Sequence, residues 1–145
     1  MALKHILKLT ETDAVIKCYI TDSNGGTVDI SLQNDLTRAT QVWTNNGTCK
    51  VGIKEIFWGL KVGKQLDITR VLDPVAGTTH GHYYLVNAGF YEYKGFHDHT
   101  YEDKDIRLNF DGPGHCILVL RKEGWAPKVE TAEFSIYDDV NQVGI

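Results

Sequence analysis

Asp105-Ile106-Arg107-Leu108-Asn109-Phe110 alternates polar and apolar residues without a break. In an extended chain successive side chains point to opposite faces, so Ile106, Leu108 and Phe110 share one face and Asp105, Arg107 and Asn109 the other. The same period recurs outward from this stretch. Upstream, Val28, Ile30 and Leu32 oppose Thr27, Asp29 and Ser31; downstream, Ala132, Phe134 and Ile136 form a matching set. From Val28 to Tyr137 no amphipathic helix interrupts the pattern, and Gly or Asn-Gly turns separate the runs. An all-β chain is predicted, an antiparallel β-sandwich or jelly roll of about eight strands.

Further strands follow from the same rule. Ala14–Thr21 places Ile16, Cys18 and Ile20 inward, and Asp22-Ser23-Asn24-Gly25-Gly26 predicts a hairpin turn into Thr27–Leu32. Leu36–Thr44 is a weaker segment running into a turn at Asn45-Asn46-Gly47. Within Thr48–Leu60 the phase slips, from Val51 and Ile53 to Ile56, Trp58 and Leu60, which predicts a β-bulge near Lys54 and Glu55. Gln65–Leu72 turns Leu66 and Ile68 inward, Asp73–His82 reads as a loop, and Tyr83–Ala88 and Phe90–Phe96 read as strands around Gly89. Cys116–Leu120 is apolar throughout, the pattern of a central strand covered on both faces, and Val129–Tyr137 closes the domain. These boundaries divide the chain into an N-terminal arm (1–13), a β-sandwich domain (14–137) and a C-terminal tail (138–145).

At 145 residues a single domain can bury roughly 68% of its unfolded surface, without help from a disulfide or a metal. The 15 basic and 19 acidic residues leave a net charge of −4 and no basic stripe, which argues against nucleic acid as a partner. Cys18, Cys49 and Cys116 form no Cys-x-x-Cys pair, and Cys18 and Cys116 read as small core residues. No apolar run matches a signal peptide or a membrane span, so synthesis in a reducing cytoplasm, without export or membrane association, is expected.

Six histidines raise the question of a metal. His80 with His82, and His97 with His99, are pairs two apart, which on a strand would share a face and could present two imidazoles to one ion. The cupin family uses such a pair on a jelly roll. Here Pro74 stands at the glycine position of that pattern, Val86 and Asn87 stand where its glutamate belongs, and Pro113-Gly114-His115 is wrongly spaced. The expectation is therefore no metal and no cofactor, with a cupin-like site on His80, His82, His97 and His99 as the alternative. Asp98, Glu102, Asp103 and Asp105 lie in a hydrophilic run that reads as solvated rather than as a raised-pKa acid and base. With no nucleophile elbow, phosphate loop or dinucleotide fingerprint either, no enzyme is expected.

Tyr83, Tyr84, Phe90, Tyr91, Tyr93, Phe96 and Tyr101 are dense enough to anchor a protein interface or to stack on a sugar. Alternation would turn about half of them into the core.

Several segments in order carry a family resemblance: Val51-Gly-Ile-Lys-Glu-Ile-Phe-Trp58-Gly, Leu66-Asp-Ile-Thr-Arg70, Asn87-Ala-Gly-Phe-Tyr-Glu92 with Gly95-Phe96, Ile117-Leu-Val-Leu-Arg-Lys122, and Val129-Glu-Thr-Ala-Glu-Phe-Ser-Ile-Tyr-Asp138. Together they resemble the small virion structural proteins of tailed bacteriophages, particularly those of marine cyanobacterial phages. The resemblance implies a β-sandwich present in many copies on the particle, as a capsid decoration or cement protein, or as a neck or tail component with a carbohydrate- or receptor-binding role. Its implied partners are other virion proteins and copies of itself, and it brings no catalytic residues. Interface residues are then expected at the chain ends and the aromatic stretch: Leu3, Ile6, Leu7 and Leu9 in the arm, Tyr91 and Tyr93, and Val143 and Ile145 in the tail. The arm either docks on a neighbouring subunit or folds back as an edge strand of its own sheet.

Overall fold

In the computed structural model, which describes residues 2–44 and 46–128, Ile106, Leu108 and Phe110 are buried while Asp105, Arg107 and Asn109 are only partly covered. The described elements are β1 (Ala2–Leu9), β2 (Asp13–Ile20), β3 (Gly26–Ile30), α1 (Leu32–Asp35), β4 (Gln41–Val42), β5 (Lys50–Leu60), β6 (Gln65–Asp73), β7 (Thr78–Val86), β8 (Ala88–Glu92), β9 (Asp105–Phe110), β10 (Gly114–Glu123) and β11 (Ala126–Pro127). One sheet has the order β1-β2-β10-β5-β8 and the other β3-β9-β6-β7, while β4 and β11 form a short ladder of their own. All pairings are antiparallel.

The pairs β2·β10, β3·β9, β5·β8 and β6·β7 nest inside one another along the chain. A long hairpin rolled across two sheets has this connectivity, and it is the jelly roll of the two architectures predicted. Between the sheets, Ile16, Ile53, Ile56 and Leu118 from one side meet Ile30, Leu66, Ile68 and Leu108 from the other, all fully buried. Each such aliphatic side chain contributes about 1.5–3 kcal/mol by leaving water. The phase slip in β5 is the predicted bulge: Val119 pairs with Glu55 and Leu120 with Ile53, so Lys54 is the unpaired extra residue. That single insertion lets both Ile53 and Ile56 face the core.

One open alternative is decided and four expectations are corrected. The N-terminal segment takes the second of its two expected courses and folds back as edge strand β1, paired with β2 from Ala2↔Ile20 to Leu9↔Ala14, so the sheet extends to Ala2. Thr10 makes the connecting turn, its amide donating to the Asp13 carbonyl at 2.8 Å. Asp22–Gly26 does reverse the chain, but into the opposite sheet: β3 pairs with β9, not with β2. Turn chemistry reports where a chain bends, not which edge the next strand meets.

The expected loop over Asp73–His82 is a turn only up to Gly77, and β7 starts at Thr78. The break before β8 falls at Asn87, whose φ is 60°, rather than at Gly89. Finally, β10 is central but covered on one face, since Ile117 and Val119 stay partly exposed. The expected strand Val129–Tyr137 and the tail after it lie outside the described residues.

Two cations are buried at the inward phase of their strands. Arg70 follows Leu66 and Ile68 on β6 and donates to the carbonyls of Val51 at 2.8 Å and Lys104 at 2.9 Å. Lys122 follows Leu118 and Leu120 on β10 and donates to the Thr10 carbonyl at 3.0 Å and to Gln41 Oε1 at 2.7 Å. Both long cations close an end of the sandwich by satisfying carbonyls that the sheet ladders leave free.

Candidate functional site

Beyond β8, the chain keeps running along β5. Tyr93 N donates to Lys54 O at 3.0 Å, Asp98 N to Ile53 O at 2.8 Å, and Val51 N to Glu102 O at 2.7 Å. These bonds hold residues 93–104 against the outer edge of β5, with Asp98 bridged to Ile53. Around Asp98 the side chains alternate as they would on a strand. The carboxylate of Asp98 meets core-side groups, while His97 packs over Gly52 on the outward face and its ring lies 4.1 Å from that of His99.

On the inner side, Asp98 Oδ2 lies 2.8 Å from His82 Nε2 and accepts the Tyr83 hydroxyl, and Asp98 Oδ1 accepts the Thr100 amide at 2.9 Å. Because the Tyr83 proton is committed to Asp98, the Tyr93 hydroxyl donates to the Tyr83 oxygen at 2.8 Å. Burial pushes the Asp98 carboxyl up, but the donors from Tyr83 and Thr100 and the neighbouring His82 outweigh it and hold the group at about 2. Burial likewise raises the Tyr83 phenol well above its ordinary range, and lowers His82 despite Asp98 beside it. Asp98 is therefore a fixed acceptor, with Arg70 adding attraction from the core. A shallow cleft of about 560 Å³ lies near this loop, lined by Lys54, Gly95, Phe96, His97, His99, Arg121 and Glu123, and not by His82, Tyr83 or Asp98. The inner cluster thus fastens the 93–104 loop to β7.

The outer side gathers a different set. His99 Nδ1 lies 3.1 Å from Glu102 Oε2, and His97 Nε2 lies 3.9 Å from Glu102 Oε2 and 3.2 Å from Glu123 Oε2. One facing atom from each of His97, His99 and Glu102 falls within 4.8 Å of the others. Lys50 Nζ stands 4.0 Å from the other Glu102 oxygen.

The four histidines proposed as alternative ligands are not one group. His97 and His99 come together, but His80 packs edge-on against Tyr101 at 4.8 Å and His82 turns inward. A register shift explains the second pair: Ile68 pairs with Tyr83 and Thr69 with Gly81, leaving His82 as the extra residue, so the period of two fails between His80 and His82. The acidic run is also less solvated than expected. Asp98 and Glu102 are half-buried or more, and Asp105 Oδ1 accepts the Leu32 amide at 2.9 Å.

Of the expected interface residues, Ile6 and Leu7 are exposed on β1, Leu3 is half-buried, and Leu9 packs against the core. Tyr91 is 46% exposed and leans on Trp58 and Tyr83, with ring centroids 5.5 and 5.8 Å apart. Tyr93 is tied up with Tyr83, while Val143 and Ile145 lie outside the described residues. Reading by residue type missed Glu123 and Gly52. Gly52 carried a usable signal, since a glycine inside an apolar strand marks a place where something else approaches closely. No helix among the described residues is long and apolar enough to cross a membrane.

Comparison of the chain with protein-family models, with curated proteins and with solved structures found no match.

Proposed function

We propose that this chain is a non-enzymatic virion structural protein of a tailed bacteriophage, a capsid decoration or cement protein that works by repeated contacts with neighbouring copies and capsid subunits. One observation carries the cohesive role. The outward face of the five-stranded sheet, which in a solvated sandwich would be polar, bears an apolar row running to an edge strand. Ile117 of β10 pairs with Phe57 of β5, and Phe57 pairs with Phe90 of β8, their rings stacked at 6.1 Å. Val119 and Val15, also a cross-strand pair, lie beside them. Phe90 is 63% exposed and Phe57 36%, and β8 is exposed at all five positions.

A contiguous apolar face running to an edge strand whose outer side meets no further strand among the described residues is suited to being covered by another protein. Multivalent contact makes weak pairings effective, because each copy held on a particle sees its neighbours at high effective concentration. The virion assignment draws on the family resemblance, and the jelly roll suits it as a fold used in capsids, among other roles.

Light scattering coupled to size-exclusion chromatography tests the cohesive role. Self-association that rises with concentration, and that Phe57→Glu with Phe90→Glu abolishes while circular dichroism is unchanged, is the expected result. A wild-type chain that stays monomeric at millimolar concentration would sink it. Mass spectrometry of purified particles from the producing culture tests the virion assignment separately: hundreds of copies per particle are expected, and absence from particles refutes it.

A further inference from the structure

We propose that His97, His99, Glu102 and Glu123 form a divalent-cation site of the zinc class on the outside of the jelly roll, independent of the cohesive role. Two ligands about 2.0–2.1 Å from a tetrahedral zinc stand about 3.3 Å apart. The separations of 3.1, 3.2 and 3.9 Å lie on either side of that value, and His97, His99 and Glu102 offer atoms within 4.8 Å of one another, so these three can close on an ion by small side-chain rotations, with Glu123 swinging in from its place beside His97. Imidazole nitrogens and carboxylate oxygens are also the donors zinc takes.

Three further features separate this set from a chance surface cluster. First, His97 is seated rather than dangling. It lies directly over Gly52, where a Cβ would come within 1.8 Å of its Cδ2, so the absence of a side chain on β5 makes the ring's seat. Second, His97 Nε2 is shielded from solvent and makes no hydrogen bond, although carboxylate oxygens stand 3.2 and 3.9 Å away. His97 Nε2 is thus left open toward the carboxylates, while His99 Nδ1 and Glu102 Oε2 are hydrogen-bonded at 3.1 Å, a contact that a bound ion would replace. Third, the charges match: two carboxylates and two neutral imidazoles bring a net −2 to a dication. Lys50 occupies only the far oxygen of Glu102, while Lys54 and Arg121 line the adjoining cleft.

Four protein ligands close a tetrahedral shell, which marks a structural rather than a catalytic ion. The three ligands of the 93–104 loop would be fastened to Glu123 of β10, complementing from outside the clasp that Asp98 makes from inside.

Zinc titrated into chelator-treated protein should bind once per chain by calorimetry and raise the thermal midpoint, because a ligand that binds only the folded state stabilises it. Exposed His99→Ala, and Glu102→Gln, should each weaken binding by about tenfold or more, and Co²⁺ should give the visible spectrum of a tetrahedral site. His80→Ala, an exposed histidine outside the set, should leave zinc affinity unchanged. No stoichiometric zinc, or binding lost equally in His80→Ala and His99→Ala, would overturn the proposal.

Discussion

Gly52→Ala and Gly59→Ala make a matched pair of perturbations on one strand. Both glycines lie on the outward side of β5, and each sits beneath a histidine. An alanine Cβ at position 52 would stand 1.8 Å from His97 Cδ2 and 2.8 Å from Cγ and Nε2. At position 59 it would stand 2.6 Å from His115 Cε1. Real Cβ atoms do not sustain such contacts, so in both variants the histidine must move. The cost depends on what holds it.

His115 is exposed and swings into water. Gly59→Ala therefore keeps the roughly 0.4–1 kcal/mol that alanine gains over glycine by restricting the unfolded chain, less a few tenths for the displaced ring. His97 is only 15% exposed, flanked by the His99 ring and anchored through the backbone pairing of Asp98 with Ile53. Displacing it disturbs the loop, an overpacking cost of about 1–3 kcal/mol against the same entropic gain, for a net loss of up to about 2.5 kcal/mol. Urea unfolding followed by tryptophan fluorescence, with m unchanged, measures both. Equal midpoints within about 0.5 kcal/mol for the two variants would refute the claim that Gly52 forms a seat for His97.

Two pH dependences follow from the buried ionisable groups. Asp98 is held at about 2 against an ordinary 3.8, so its contribution is complete above pH 4 and is lost as pH falls toward 2. Acid titration of unfolding midpoints should show Asp98→Asn less stable at neutral pH and flatter across that window; parallel wild-type and variant curves would contradict the clasp. Lys122 is pushed down from 10.5 to about 8, by burial first and then by Arg38, so the folded state sheds its proton before the unfolded one. The stability of wild type relative to Lys122→Met should rise between pH 8 and 10.5, and a constant difference would mean that the ammonium is not buried.

Much of the jelly roll was legible residue by residue. The inward sets of β2, β6 and β9, and the bulge at Lys54, follow from a period that the backbone enforces locally. Where the period breaks, reading from sequence broke with it. The extra residue at His82 turned one His-x-His pair to opposite environments, while His97 and His99, around an Asp98 bridged to Ile53, stayed together. Ser31 closed β3 early by capping α1, its Oγ accepting the Asn34 amide at 3.1 Å while its own amide donates to Asp35 at 2.7 Å.

Alternation in the sequence by itself determined that this chain makes two-faced strands, which residues face inward on most of them, and where one strand bulges, because side-chain direction in an extended backbone depends only on position parity. Tertiary structure alone decided that β2 hands the chain to the opposite sheet, that β1 is an edge rather than an arm, that Arg70 and Lys122 are core cations, and that Glu123 stands beside His97. Those outcomes depend on which strand edges meet when the long hairpin rolls up, a long-range choice made by closing one apolar core and invisible to any local period.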